Sequence, residues 1–412
     1  MVKQSVLVIG YVWVAPKSSA AGGRMLQLIE QFLQKKWKVT FASPSQKNLH
    51  DYDLTTIGVD EVSIALNNTS FDEFLKQLQP TIVVFDRFMM EEQFGWRVAE
   101  NCPEALQILD TEDLHFLRKV RHQQYKKGEV FTNEALLNSD YTKREIASIL
   151  RCDLSLIISD FEMNLLQSTF KIDKSLLLYL PFLLDKIDKK QTTEWKSFDK
   201  RNDFVFIGNF FHKPNVDAVL TLKKYIWKTI KDTLPNAKMY VYGDYANQQI
   251  KDLHNTKEGF IIKGFAENAK EVIENAKVLL APLNFGAGIK GKLTEAMVCG
   301  TPSVTTTIGA EGMHKNLPWS GYVASNYNEF SKKAITLYTD EKSWKIAQEN
   351  GIEIINNIYD KVKIGELFIN KIEELQQDLE IHRTQNFLGS LLQHQTLQAT
   401  KYMSKWIEEK NK

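Results

Sequence analysis

Short β-branched runs alternate with amphipathic segments along this chain, and the pattern is carried through twice. Residues 6–9, 39–42, 81–85, 106–109 and 154–158 are mostly apolar runs without a polar alternation. Such runs suit parallel strands buried on both faces. Between them, residues 24–35, 71–78, 91–100 and 133–150 repeat apolar positions at helical spacing. Strand and helix in alternation predict βαβ units and a doubly wound sheet. The pattern restarts with strands over 204–207, 239–242, 260–262, 278–281 and 303–306, and helices over 215–231, 269–275, 289–298 and 329–337. Beyond Glu341 only helical patterning remains. The polar stretch between Leu183 and Asn202 has no period and reads as a linker. The expected division is therefore 1–184, a Rossmann-like first domain; 185–202, the linker; 203–365, a Rossmann-like second domain; and 366–412, C-terminal helices that pack back on the first domain. A length of 412 residues accommodates this.

Lys+Arg and Asp+Glu total 52 and 51, so the net charge is +1. This excludes a globally basic nucleic-acid coat and an acidic tail, though not a local patch. Cys102, Cys152 and Cys299 form no C-x-x-C, and a sparse, odd count fits a reducing compartment. No apolar run approaches the ~20 residues of a membrane-spanning helix. The start of the chain has a loose likeness to a signal peptide. A run of β-branched residues ending at Gly10 and followed directly by a helical pattern reads better as strand, loop and helix. The expected location is cytoplasmic, with a peripheral contact at the inner membrane surface left open by the C-terminus.

Two doubly wound domains in tandem place a ligand between them, at the carboxyl ends of the strands. The loops there carry the chemistry. Ala281-Pro-Leu-Asn-Phe-Gly-Ala-Gly-Ile-Lys-Gly-Lys-Leu-Thr-Glu-Ala follows a strand and opens a helix. Gly286, Gly288 and Gly291 allow a tight loop and close backbone approach to a ligand. The helix N-terminus offers free N–H groups near Ile289, and Lys290 and Lys292 add charge. Together these form a pyrophosphate-binding constellation. Glu295 is placed to accept both hydroxyls of a ribose. Leu293 follows Gly291-Lys292, so the hydroxyl of a P-loop is missing.

This stretch resembles the donor signature of the retaining GT-B glycosyltransferases of family 4 (glycosyl transferases group 1), G-x-G-x-x-x-K-x-x-E-A-x-x-x-G-x-P-x-V. The likeness continues through Thr305-Thr-Thr-Ile-Gly-Ala-Glu-Gly and, upstream, through Phe204-Val-Phe-Ile-Gly-Asn. It implies two facing Rossmann-like domains, with a nucleoside-diphosphate sugar held mainly by the second and the acceptor mainly by the first. It implies no cofactor or metal beyond the donor itself. Gly208 and Asn209 are implied near the diphosphate. There are two departures. The family's paired glutamates are spaced E-x7-E, but here Ala287 precedes Glu295. That first glutamate's role must pass to N–H groups of the 286–289 loop or to another side chain. Asn209 stands where many members carry an Arg, and Lys213 stands one short of the usual Lys.

The first domain offers two loops. Gly22 and Gly23 would let an N–H reach the donor phosphate from across the cleft, with Arg24 assisting or lying at the surface. Asp110, Glu112, Asp113 and His115 cluster after the 106–109 strand, where Asp110 or Thr111 is also a candidate helix cap. Asp113 and His115 are expected, with Lys290, to act in catalysis, and Asp113 or Glu112 to orient an acceptor hydroxyl. Glu91, Glu92, Gln93 and Arg97 are candidates for the acceptor side, against a plain solvated helix start. Asp51-Tyr-Asp sits in a polar loop and reads as no metal site. The 386–412 segment reads as amphipathic and basic. Packing on the first domain, a membrane or large-acceptor contact, and an oligomer contact are its three readings.

The function expected is retaining, metal-independent transfer of a sugar (hexosyl type) to an unidentified acceptor hydroxyl on a saccharide, lipid carrier, protein or RNA. The alternatives are a sugar-nucleotide epimerase, a phosphorolytic enzyme, or a degenerate sugar-nucleotide-binding scaffold, for which Ala287 is the best argument.

Overall fold

The computed structural model describes residues 4–48, 51–394 and 397–410. Two parallel sheets form the framework. The first contains β1 (Ser5–Ile9), β2 (Lys38–Ser43), β3 (Asp60–Ser63), β4 (Ile82–Asp86), β5 (Leu106–Asp110), β6 (Leu154–Ile157) and β7 (Leu177–Tyr179), in the order β3-β2-β1-β4-β5-β6-β7. The second contains β8 (Asn202–Ile207), β9 (Met239–Tyr242), β10 (Phe260–Gly264), β11 (Ala276–Ala281), β12 (Ser303–Thr306) and β13 (Gly321–Ala324), in the order β10-β9-β8-β11-β12-β13. In both, the order reverses beside the first strand, which creates a crevice at the carboxyl ends. The central strands β1, β4, β5 and β11 are almost wholly buried. Each fully buried aliphatic or aromatic side chain there contributes about 1.5–3 kcal/mol.

The helices of the first domain are α1 (Ala20–Gln34), α2 (Ser70–Leu78), α3 (Phe88–Asn101), α4 (His115–Lys127), α5 (Asn133–Leu137), α6 (Asp140–Arg151) and α7 (Asp160–Ser168). Next come α8 (Lys189–Glu194), α9 (Lys213–Thr221), α10 (Trp227–Thr233), α11 (Gln248–Lys251), α12 (Ala269–Asn275), α13 (Gly291–Val298), α14 (Thr307–Ala310) and α15 (Tyr327–Thr339). The tail consists of α16 (Glu341–Ile358), α17 (Lys361–Gln377), α18 (Leu379–Gln385), α19 (Phe387–His394) and α20 (Leu397–Lys410).

The differences from the sequence reading have local causes. Strands β3, β7 and β13 lie at sheet edges and are only partly buried, so they lack an apolar run. The 133–150 segment is two helices, with α6 restarting at Asp140. The 215–231 helix contains a π turn over Leu222–Ile226. The 185–202 segment is bound to the second domain rather than free. Ile187 N–H donates to Asn356 Oδ1 at 2.8 Å, and the fully buried Arg201 donates to Thr301 Oγ1 at 2.6 Å and Cys299 O at 2.9 Å.

After α16 the chain crosses back. Phe368, Ile369, Ile372 and Leu375 of α17 join the core of Val6, Leu28 and Phe32. Arg383 pairs with Asp153, and Asn386 Nδ2 donates to Leu150 O at 2.7 Å. So α17 to α19 lie on the first domain. On α20, Tyr402, Met403, Trp406 and Ile407 are exposed.

Candidate active site

The second-domain wall of the cleft is the loop between β11 and α13. Helix α13 begins at Gly291, two residues later than its pattern suggests, because Lys290 takes an extended capping conformation with no side-chain cap bond. Leu293 N–H turns back to Lys290 O at 2.7 Å, which leaves the amides of Gly291 and Lys292, among the described residues, for a ligand. Gly288 has φ +63°, and a Cβ there would lie 2.7 Å from Asp113 Cβ; at Gly291 it would lie 2.5 Å from Ala20 Cβ. Two of the loop's glycines thus admit the first domain rather than only a ligand.

Lys290 Nζ donates to Gly288 O at 2.7 Å, and burial pushes its ammonium down to about 8. Lys292 Nζ donates to Asn215 Oδ1 at 2.6 Å, lies 4.1 Å from the centre of the Phe206 ring, and borders Gly208. Burial pushes Lys292 down to about 7, with Glu295 opposing. Glu295 keeps access to solvent, yet its enclosure raises the carboxyl to about 7, with Lys292 opposing. Ile289 is buried in the second core. Asn209 spans the cleft: its Nδ2 donates to Ser18 O at 3.4 Å, and its Oδ1 accepts from Phe211 N–H at 2.8 Å.

The first-domain wall is different. Ser19 caps α1 by accepting from Gly22 N–H at 3.0 Å, and Gly23 N–H donates to Ser19 O. Both amides therefore already have an acceptor in Ser19. Gly22 also serves packing, since a Cβ would lie 2.5 Å from the Ala15 backbone. Arg24 neither lies at the surface nor reaches the cleft. It is 1% exposed, with Nη2 donating to the fully buried Asp110 at 2.8 Å and Nη1 to Leu180 O at 2.7 Å.

Nor do Asp110 and Thr111 cap α4. Thr111 Oγ1 donates to Leu156 O at 2.8 Å. The amides opening α4 are satisfied from far along the chain: His115 and Phe116 by Glu145, and Leu114 by Glu162. Glu162 Oε1 also accepts Gly288 N–H at 2.9 Å, across the cleft. That N–H is thereby taken, so it does not stand in for the glutamate absent at Ala287.

Asp113 and His115 do come together. Arg118 Nε and Nη2 donate to the two oxygens of Asp113 at 2.7 and 3.1 Å, and His115 Nε2 lies 3.3 Å from Asp113 Oδ1. Asp113 is held well below the usual carboxylate range: burial alone would raise it, but Arg118 and then His115 outweigh that. Burial, with Arg118 and Arg87, pushes His115 down to about 3 against the pull of Asp113, so the imidazole is neutral at pH 7. Glu112 has φ +62° and lies half-buried; burial, then Asp110, raises its carboxyl well above normal. Glu91, Glu92 and Arg97 are spent elsewhere, pairing with Arg151, Arg144 and Asp72. The register of α3 turns them toward α6 and α2.

The contacts that join the walls are not legible in the sequence. Arg121 Nη1 donates to Gly286 O at 2.9 Å, and its two terminal nitrogens hold Glu311 at 2.6 and 2.9 Å. His122 stacks on Phe285 with centroids 4.5 Å apart. Asn284 Nδ2 donates to Tyr125 Oη at 3.2 Å. Residues 118, 121, 122 and 125 recur at helical spacing on α4, a helix with no acidic residue, and that was the available signal.

Residues 201–340 match the family model Glycosyl transferases group 1. A protein of Klebsiella pneumoniae described as an uncharacterized 44.6 kDa protein in the cps region is 20% identical over 293 residues, 68% of this chain and 72% of that one. Among solved structures, sucrose-phosphate synthase from Thermosynechococcus elongatus superposes with TM-score 0.66 at 14% identity, covering 90% of this chain and 99% of that one. HepE of Anabaena, solved with UDP and glucose, gives 0.65 at 11% identity, covering 89% and 99%. An S. aureus TarM mutant solved with Fondaparinux, alpha-GlcNAc-glycerol and UDP gives 0.57 at 14% identity; 73% of this chain is covered, but just 57% of that one. The architecture is the GT-B glycosyltransferase fold.

Proposed function

We propose that this protein is a glycosyltransferase that moves a sugar from a nucleoside-diphosphate sugar to an acceptor hydroxyl, with retention and without a metal. The observation that carries this reading is the uncapped N-terminus of α13 with Lys290 and Lys292 beside it, facing Asp113 and His115 across the cleft. The family match over residues 201–340 supports it.

In this reading Glu295 accepts the ribose hydroxyls, and the diphosphate lies by Gly208, Lys292 and the α13 amides. As the bond to the sugar carbon breaks, negative charge collects on the diphosphate. Preorganised N–H groups and ammoniums stabilise that charge most in the transition state. An arriving diphosphate also restores the proton affinity that burial takes from Lys290 and Lys292. The acceptor hydroxyl approaches the face the diphosphate leaves, and its proton passes to the departing phosphate. A neutral His115 can donate to a sugar hydroxyl or accept from one. Contacts such as Arg121 to Gly286 O and Glu311 hold the domains closed and limit hydrolysis.

The test is a donor screen with UDP-, GDP-, ADP- and dTDP-sugars in the absence of added metal. Thermal shift reads binding, and a coupled assay reads nucleotide release. One donor that raises the melting temperature and is slowly hydrolysed is the expected result. No shift with any of them would overturn the reading.

A further inference from the structure

The cations in and behind the two walls are held in unequal ways. Arg24 is locked to Asp110 and Leu180 O. Arg121 is locked to Glu311 and Gly286 O. Lys290 is turned onto its own loop, and Lys292 onto Asn215. Asn209, beside Gly208, brings no charge. Arg118 stands apart from these. It sits in the first turn of α4, its guanidinium hydrogen bonds among the described residues go to Asp113 alone, and its side chain is 29% exposed, against 1% for Arg24 and 6% for Arg121.

Its position is across the cleft from the diphosphate-binding wall. Asp113, its partner, has its Cβ 2.7 Å from where a Gly288 Cβ would stand. His212 on the second domain lies in the field of Arg118, Asp113 and Lys292 together, so these groups share one stretch of the cleft. The fork that grips a carboxylate in two places matches a phosphate equally well. A diphosphate carries more charge than one carboxylate, and it meets an arginine that moves without unpacking a core.

We propose that Arg118 is a transferable guanidinium: it rests on Asp113 while the cleft is empty and moves to the diphosphate when a donor binds, releasing Asp113 to accept a hydrogen bond from the acceptor hydroxyl. The inference rests on the donor reading above and adds an order to it. The first domain then supplies cationic charge that position 209 does not. The acceptor's partner is withheld until a donor is present, which disfavours acceptor-first binding. His115, 3.3 Å from Asp113 Oδ1, remains to orient the freed carboxylate.

The experiment is calorimetric titration of the full chain with UDP, GDP, ADP, dTDP and inorganic pyrophosphate, using wild type, Arg118→Ala, Arg118→Lys and Asp113→Asn. The matching nucleoside without phosphates serves as a control. For whichever nucleoside diphosphate the wild type binds, Arg118→Ala should weaken binding about 10- to 100-fold. Nucleoside binding should not change. Asp113→Asn removes the competitor and should tighten the same diphosphate by about 2- to 10-fold. A merely structural pair predicts weaker binding, or none of these changes, in both variants. Unchanged affinity in Arg118→Ala, or weaker affinity in Asp113→Asn, overturns the inference and leaves the donor reading standing. Failure of the wild type to bind any of the four nucleoside diphosphates overturns both. Should Arg118→Ala not fold, Arg118→Lys and the sign of the Asp113→Asn effect decide.

Discussion

The two walls of the cleft are built by different means. The second-domain wall is largely main chain: a glycine-bearing loop, the open end of α13, and two lysines within three residues of each other. The first-domain wall is made of side chains gathered from distant places. Asp110 is paired with Arg24, 86 residues away, and the opening amides of α4 are satisfied by Glu145 and Glu162, 29 to 48 residues away. A backbone site depends on conformation and tolerates changes around it. A side-chain network depends on every partner, because a charge left alone indoors is expensive.

The sharpest break of this contrast is Arg24→Leu. It strands Asp110, which is 0% exposed, without its cation. The expected loss is about 3–5 kcal/mol of stability, read by urea unfolding. A loss below about 1 kcal/mol would show that the first-domain network is not what holds its wall. On the other wall, Lys292→Ala should act on chemistry instead. Nucleotide release from the donor should fall about 10²–10³-fold, with little change in the unfolding midpoint. A large loss of stability with normal turnover would reverse the assignment.

Gly288→Ala tests where the walls touch. The residue has φ +63°, and its new methyl meets Asp113 Cβ. Strain of about 1–3 kcal/mol is expected, together with a wider cleft that small-angle scattering reads as a larger radius of gyration. An unchanged radius with normal activity would mean that the domains do not need this approach.

What could be read in advance follows from the same contrast. The central strands and the 286–295 loop are contiguous, and their periods and spacings lie in one stretch of chain. Even so, Gly288 and Gly291 appeared as room for a ligand, while the structure also uses them to seat Asp113 and Ala20. In the first domain the residue types near Asp113 were visible, but their partners were not. Nothing local announces that Glu162 accepts from Gly288 N–H, or that Arg121 reaches Glu311 across 190 residues. Gly22 is a related case: a glycine at a strand–helix junction suits a phosphate, and here it also lets α1 pack against Ala15. The α3 residues Glu91, Glu92 and Arg97 followed a strand as expected, yet helical register turned them to α6 and α2.

The smallest expected effect separates the walls by the sign of a slope. Glu162, 1% exposed with Oε2 lacking a hydrogen-bond partner among the described residues, is raised to about 7, first by burial and then by Asp113. Unfolded, it titrates near 4.5. Between these values the native state holds the extra proton, so this group makes stability fall as pH rises from about 4.5 to 7. Lys292 does the opposite. Burial lowers it to about 7 from 10.5, so between those values the unfolded state holds the extra proton. Its penalty is full below about 7 and fades as pH rises toward 10.5. Glu162→Gln should therefore gain on wild type as pH goes from 5 to 8. Lys292→Met should be ahead of wild type at pH 6 and lose that lead by pH 10. Each difference should be on the order of 1 kcal/mol, measured as midpoint shifts in urea across the pH series. Parallel slopes in the two variants would mean that one of these groups is not enclosed as the closed cleft requires, and the Lys292 series would then identify the donor wall as the open one.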